Sequence, residues 1–100
     1  MKSKSKYVIV RSVNAGAHAG YLVKRTGDVV ELRDARRLWR WVVAKMTGNL
    51  ASLSEVAVHG INSSDSRSRI GVVVPQHTVL GVCEILSAND GARKSIEGAP

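Results

Sequence analysis

Apolar and polar positions change period along this chain, and each period predicts an element. Tyr7-Val-Ile-Val-Arg-Ser-Val13 is apolar on both alternating faces, as a central strand would be. Asn14-Ala-Gly-Ala-His-Ala-Gly20 is small and glycine-containing, which predicts a turn or loop. Residues 21–25 and 28–33 read as strands flanking Thr26-Gly27, a tight hairpin. After Arg33 the period lengthens. Ala35, Leu38, Trp39, Val42, Val43 and Met46 fall on one stripe of a helical wheel, with Asp34 at the N-cap position and Thr47-Gly48-Asn49 as a stop. A strand is the alternative there, with Glu31, Arg33, Ala35, Arg37, Trp39 and Trp41 on one face. That face mixes charged and apolar groups, so helix is the better reading.

Ser52-Leu-Ser-Glu55 has capping-box spacing and opens a short helix to about His59, where Gly60 stops it. Residues 62–68 form a polar loop. Residues 69–74 and 78–86 read as strands joined across Pro75-Gln-His77, and Asn89-Asp-Gly begins a last short helix near residues 92–96. The expected architecture is α+β: a small single domain over 7–97, with about five mostly antiparallel strands and two or three short helices. Residues 1–6 alternate Lys and Ser and are expected to be a flexible basic arm.

Composition narrows the function classes. One hundred residues hold one core. No apolar run approaches the roughly 20 residues of a membrane span, the N-terminus lacks a signal-peptide apolar region, and one cysteine excludes an internal disulfide framework. A cytoplasmic protein, with no membrane partner, is expected. The net charge of +7 is unevenly placed. Residues 1–45 hold eleven Lys and Arg against three acids, whereas residues 46–100 hold four against five. This asymmetry favours an anionic partner, either nucleic acid, a nucleotide or an acidic protein face.

The candidate contact residues follow from the helical reading. Arg36, Arg37, Arg40 and Trp41 fall opposite the apolar stripe, with Arg37 and Trp41 spaced so that a guanidinium can lie on the indole. Arginines can pair phosphates while an aromatic ring stacks on a base. Arg33 joins this face, Lys24 and Arg25 stand at its edge, and Trp39 is assigned to the core. His18, in the small-residue loop, is a further ligand candidate. Arg67 and Arg69 could extend the face if the fold brings them beside Arg36 and Arg40.

No catalytic residue is indicated. His18, His59, His77 and Cys83 lack short-range ligand spacing, so no metal and no cofactor is expected. Cys83 reads as a buried small hydrophobe. No serine or acid sits in a recognisable nucleophile or acid–base frame.

Several segments together resemble a family of small proteins encoded by phages and prophages. They are Tyr7-Val-Ile-Val-Arg11, Ala15-Gly-Ala-His-Ala-Gly-Tyr-Leu22, Val30-Glu-Leu-Arg-Asp-Ala-Arg-Arg-Leu-Trp-Arg-Trp41, Leu50-Ala-Ser-Leu-Ser-Glu-Val-Ala-Val-His-Gly60, Val82-Cys-Glu-Ile-Leu86 and Ala92-Arg-Lys-Ser-Ile96. Ala-Arg-Arg-Leu-Trp is the most specific part. The resemblance carries over no catalytic residue. It implies phage infection of a bacterium and the bacterial cytoplasm as the setting. The chain departs from the family pattern at 42–49, which resembles an insertion and leaves helix and strand both open for 35–46, the strand gaining if shorter relatives run Trp-x-Trp straight into a loop; the usual C-terminal extension is expected to be missing. The order of strand, small-residue turn and Gly-Tyr-Leu strand is similar in fold type to the ring-forming tryptophan-sensing RNA-binding proteins, which favours a homo-oligomer.

The expected function is a non-catalytic phage accessory protein, for host takeover or anti-defence, that binds nucleic acid or sequesters a nucleotide immune signal. The alternatives are an anti-CRISPR-like inhibitor docking on an acidic host protein, or a structural, oligomeric phage component.

Overall fold

The computed structural model describes residues 6–42 and 53–100. Along them run β1 (Tyr7–Ser12), β2 (Gly16–Thr26), β3 (Val29–Arg40), α1 (Leu53–His59), β4 (Arg69–Ile70), β5 (Val74–Val79), β6 (Val82–Ser87) and α2 (Asp90–Glu97). The six strands form one sheet in the order β4-β3-β2-β1-β6, with β5 also on β3, and every ladder is antiparallel. The α+β class holds, with more strand than expected. β1 is buried on both faces, as its unbroken apolar run predicts.

The largest departure is β3. The helix expected over 35–46 is absent as far as Val42, and its remaining residues, 43–52, lie outside the described residues. Asp34 is not a helix N-cap. It sits in the strand at φ 53°, a left-handed conformation that aspartate tolerates better than most side chains. This kink divides β3 between two outer neighbours. Val30 to Ala35 pair with β5, and Leu38 and Arg40 then pair with Ile70 and Arg69 of β4. The kink also breaks the alternation of faces. Val30, Leu32 and Ala35 share one core cluster, whereas Leu38 lies in the other. The spacing that imitated a helical stripe therefore belongs to apolar residues on opposite faces of one bent strand. Backbone hydrogen bonding to β2 along nearly the whole length, with burial on both sides, outweighs the local helical pattern.

Other boundaries move for related reasons. β2 begins at Gly16, so most of the expected loop is strand. Gly20 stands where a Cβ would lie 3.0 Å from Ala35 Cα, and this close approach accounts for the small residues. Pro75, Gln76 and His77 do not form the turn but lie within β5; the turn is at Leu80-Gly81, with Gly81 at φ 69°. Proline is admissible there because, among the described residues, β5 pairs with β3 alone. α1 ends at Gly60 as expected, and α2 starts after Asn89, whose side chain accepts from the Ala92 amide. The Ser52 half of the expected capping box, and residues 1–5 of the expected arm, lie outside the described residues.

The sheet separates two cores. Tyr7, Ile9, Ala17, Ala19 and Leu38 meet Leu53, Val56 and Ala57 of α1 and Ile96 of α2. On the other face Val8, Val10, Val30, Leu32, Ala35 and Val79 form a cluster with no helical member. The sheet curls over this face and buries it against itself, with the Val82 amide donating to the Asp28 carbonyl at 2.8 Å where the edges approach. No helix among the described residues is long and apolar enough to cross a membrane.

Candidate functional site

The bent strand disperses the expected arginine face. Arg33 is exposed, paired with Asp34 at 2.9 Å, and lies 4.5 Å over the Tyr21 ring. Lys24 and Arg25 are exposed beside the β2–β3 turn, and the Arg25 Nε donates to the Gly27 carbonyl. Arg25 is opposite Val30. Ten further residues of strand, roughly 30 Å of path, separate Val30 from Arg40. The edge assigned to Lys24 and Arg25 is therefore the wrong end of the sheet.

Arg36 is corrected from a contact residue to a structural one. It is 5% exposed and opposite Ala19, under the end of α2. Its Nε donates to Gly71 O at 2.7 Å. Its Nη1 donates to Ile96 O at 2.9 Å, Ala99 O at 2.7 Å and Glu97 O at 3.4 Å, and its Nη2 to Pro100 O at 3.2 Å. Carbonyls at a helix C-terminus lack intrahelical donors and carry partial negative charge. One guanidinium satisfies them and ties α2 to β3.

His18 is also corrected. It is fully buried in the helix-free core, and neither ring nitrogen has a hydrogen-bond partner among the described residues. The His77 ring lies 4.7 Å away, edge to face, and Arg37 is opposite His18 on β3. Burial, with His77 and Arg37 adding to it, lowers the His18 pKa to about 4, so the imidazole is neutral near pH 7. It presents no charge to a ligand.

The two tryptophans exchange their expected places. Trp39, assigned to the core, is 57% exposed. Trp41 is half-buried and packs against the helix-covered core. Arg37 accordingly covers Trp39, 5.1 Å from its ring, rather than Trp41, and its Nη1 is anchored on Ala15 O at 3.0 Å. Across a single bent strand, neighbours two apart share a side, so Arg37 meets Trp39. A helical spacing of four would have joined it to Trp41.

These side chains gather at one end of the sheet. A groove of about 580 Å³ runs between the end of β1, the start of β2, the end of β3 and the start of α1. Trp39, Trp41 and Leu38 supply its aromatic and apolar walls, and Arg11 with Glu84 its charged rim. Arg11 and Glu84 pair across β1 and β6 at 3.4 Å. This volume falls within the range of small-molecule sites. Arg40 follows Trp39 on the chain and faces Arg69 across the β3–β4 ladder, so Arg69 does extend the basic end. Trp39 and Arg11 were the groove residues that sequence reasoning missed. The Arg37–Trp39 spacing was the signal for Trp39, once a strand is assumed.

Cys83 is exposed rather than buried, with its thiol toward the Arg11 carbonyl at 3.4 Å. Among the described residues no three His, Cys, Asp or Glu side chains group as a metal site.

No curated protein matches the chain significantly, and no solved structure does. A family model described as a domain of unknown function, DUF6948, matches residues 5–96. The match takes in every strand, both tryptophans and nearly all of α2, and the chain belongs to the DUF6948 family.

Proposed function

We propose that this protein is a non-catalytic binder of a base-bearing anion, a nucleotide or single-stranded nucleic acid, held at the tryptophan-lined end of its sheet. The observation that carries the reading is Trp39: a large indole, more than half exposed, with the Arg37 guanidinium on its ring and a groove beside it. Exposed aromatics of this kind stack on bases without sequence preference, and adjacent arginines add charge and planar stacking. The positive charge of Arg37, Arg40 and Arg69 at this end attracts an anion and makes binding salt-dependent. Arg11, Arg37, Arg40, Trp39 and Trp41 form the contact set. In the phage setting implied by the sequence resemblance, such a protein would shield nucleic acid or sequester a nucleotide signal of the host.

The test is to purify the protein without nuclease, denature it with heat and record what is released. Long polynucleotide is expected for nucleic-acid binding, and a discrete nucleotide identifiable by mass for sequestration. Released material without 260 nm absorbance, from protein that also fails to bind added nucleotide or oligonucleotide, would overturn the reading. Recovery of a single acidic host protein instead would make the Trp39–Arg37 pair a protein-docking anchor, a role that tryptophan and arginine also serve.

A further inference from the structure

We infer that Arg40 and Arg69 form a phosphate clamp at the β3–β4 edge. The inference deepens the reading above by naming the residues that take the ligand's phosphate, but it rests on a separate observation. The two arginines are Cα partners in the antiparallel ladder, and both are exposed. Directly opposed side chains of such a pair share a face with their Cβ atoms about 5 Å apart, and like charges there repel.

Nothing among the described residues relieves that repulsion. Its eight acids all fall among the described residues, and none pairs with Arg40 or Arg69. Nearby cations are treated differently. Arg67, two residues before Arg69, is clasped by Asp65 through its Nη2 at 3.0 Å and its Nε at 3.1 Å. Arg33 has Asp34, Arg11 has Glu84, and Arg93 has Glu97. Arg25, Arg36 and Arg37 also lack an acid, but each donates to a backbone carbonyl; Arg40 and Arg69 have neither kind of acceptor among the described residues, and they face each other. A tetrahedral dianion or a phosphodiester between them removes the repulsion and accepts from both guanidinium forks, whose planar donors suit phosphate oxygens. The clamp adjoins Trp39, so a phosphate held there leaves the attached base within reach of the indole.

The test uses the full chain with two probes, inorganic pyrophosphate and an eight-nucleotide oligothymidylate, at low ionic strength. Arg69→Ala and Arg40→Ala are compared with Lys24→Ala, which removes the same charge at the far end of the sheet. Each clamp variant should weaken pyrophosphate binding about tenfold, as expected for losing a charge-assisted pair of hydrogen bonds, with Lys24→Ala changing it less than about twofold. Relief of the like-charge contact should leave the unliganded thermal midpoint of Arg69→Ala unchanged or higher, which a purely structural arginine would not do. Equal weakening by Arg69→Ala and Lys24→Ala, or no pyrophosphate binding by the parent protein, would overturn the clamp. Arg69-dependent pyrophosphate binding without oligonucleotide binding would keep the clamp and remove the base-binding reading. Oligonucleotide binding indifferent to Arg69 would do the reverse.

Discussion

Arg36→Ala should destabilise the protein by about 3–5 kcal/mol, the range seen when one partner of a buried charged network is removed. For a domain of this length that lowers the thermal midpoint on the order of 15 °C or more. The substitution removes five donor contacts, to Gly71, Ile96, Glu97, Ala99 and Pro100, and leaves a cavity between β3 and α2. Charge-assisted hydrogen bonds contribute roughly 1.5–3 kcal/mol each, and buried carbonyls left without a donor add their own desolvation cost. Arg36→Lys should recover less than half of the loss, because one ammonium cannot reach acceptors spread from Gly71 to Pro100. Chemical denaturation of the three proteins checks this. A ligand-contact arginine would give the opposite result: an unchanged midpoint with weakened binding.

The second large effect is a pH dependence centred on His18. Its pKa is lowered to about 4 by burial, with His77 and Arg37 contributing, against about 6.5 in the unfolded chain. Between these values the unfolded state binds a proton that the folded state does not. Stability is therefore fully present above pH 6.5, falls as the pH drops through that window, and reaches its full loss near pH 4. The magnitude is about 3 kcal/mol. His18→Leu fills similar space and removes two ring nitrogens that have no partner, so it should be as stable as the parent protein at pH 7 or more so. Between pH 6.5 and 4 its stability should fall less steeply than the parent's by that same amount. Parallel pH profiles for the two proteins would show that His18 is solvated or hydrogen-bonded in the folded state.

How much of this was legible depends on the kind of signal. The apolar run of β1, the Thr26-Gly27 turn, α1 ending at Gly60 and α2 opening at Asn89 are local, and the sequence patterns placed them well. Residues 29–40 were misread because a single left-handed residue, Asp34, shifts the phase of a strand. Ala35 and Leu38, three apart on opposite faces, then look like one helical stripe. That error propagated directly into the site. On a helix Arg36, Arg40 and Trp41 share an exposed face. On the bent strand Arg36 turns under α2, Arg40 meets Arg69, and Trp39 takes the exposed position given to Trp41. The role of Arg36 had no local signal at all. Its acceptors are 35 to 64 residues away in sequence and converge only after α2 docks. His18 reads in sequence as a polar group in a loop, and only the curled sheet makes it a core residue beside His77.

The central claim is that a base stacks on Trp39 at the charged end of the sheet. Titrating the eight-nucleotide oligothymidylate against tryptophan fluorescence in the parent protein, Trp39→Ala and Lys24→Ala tests it most directly. Quenching by stacking should saturate in the parent protein and weaken steeply with added salt. Trp39→Ala should bind at least about fivefold more weakly, since base–aromatic stacking is worth roughly 1–3 kcal/mol, while its thermal midpoint stays near that of the parent because the indole is largely exposed. Lys24→Ala should retain affinity within about twofold at moderate salt. Undiminished affinity in Trp39→Ala, or quenching lost equally in Lys24→Ala, would contradict the account and place any nucleic-acid contact elsewhere on the basic half of the chain.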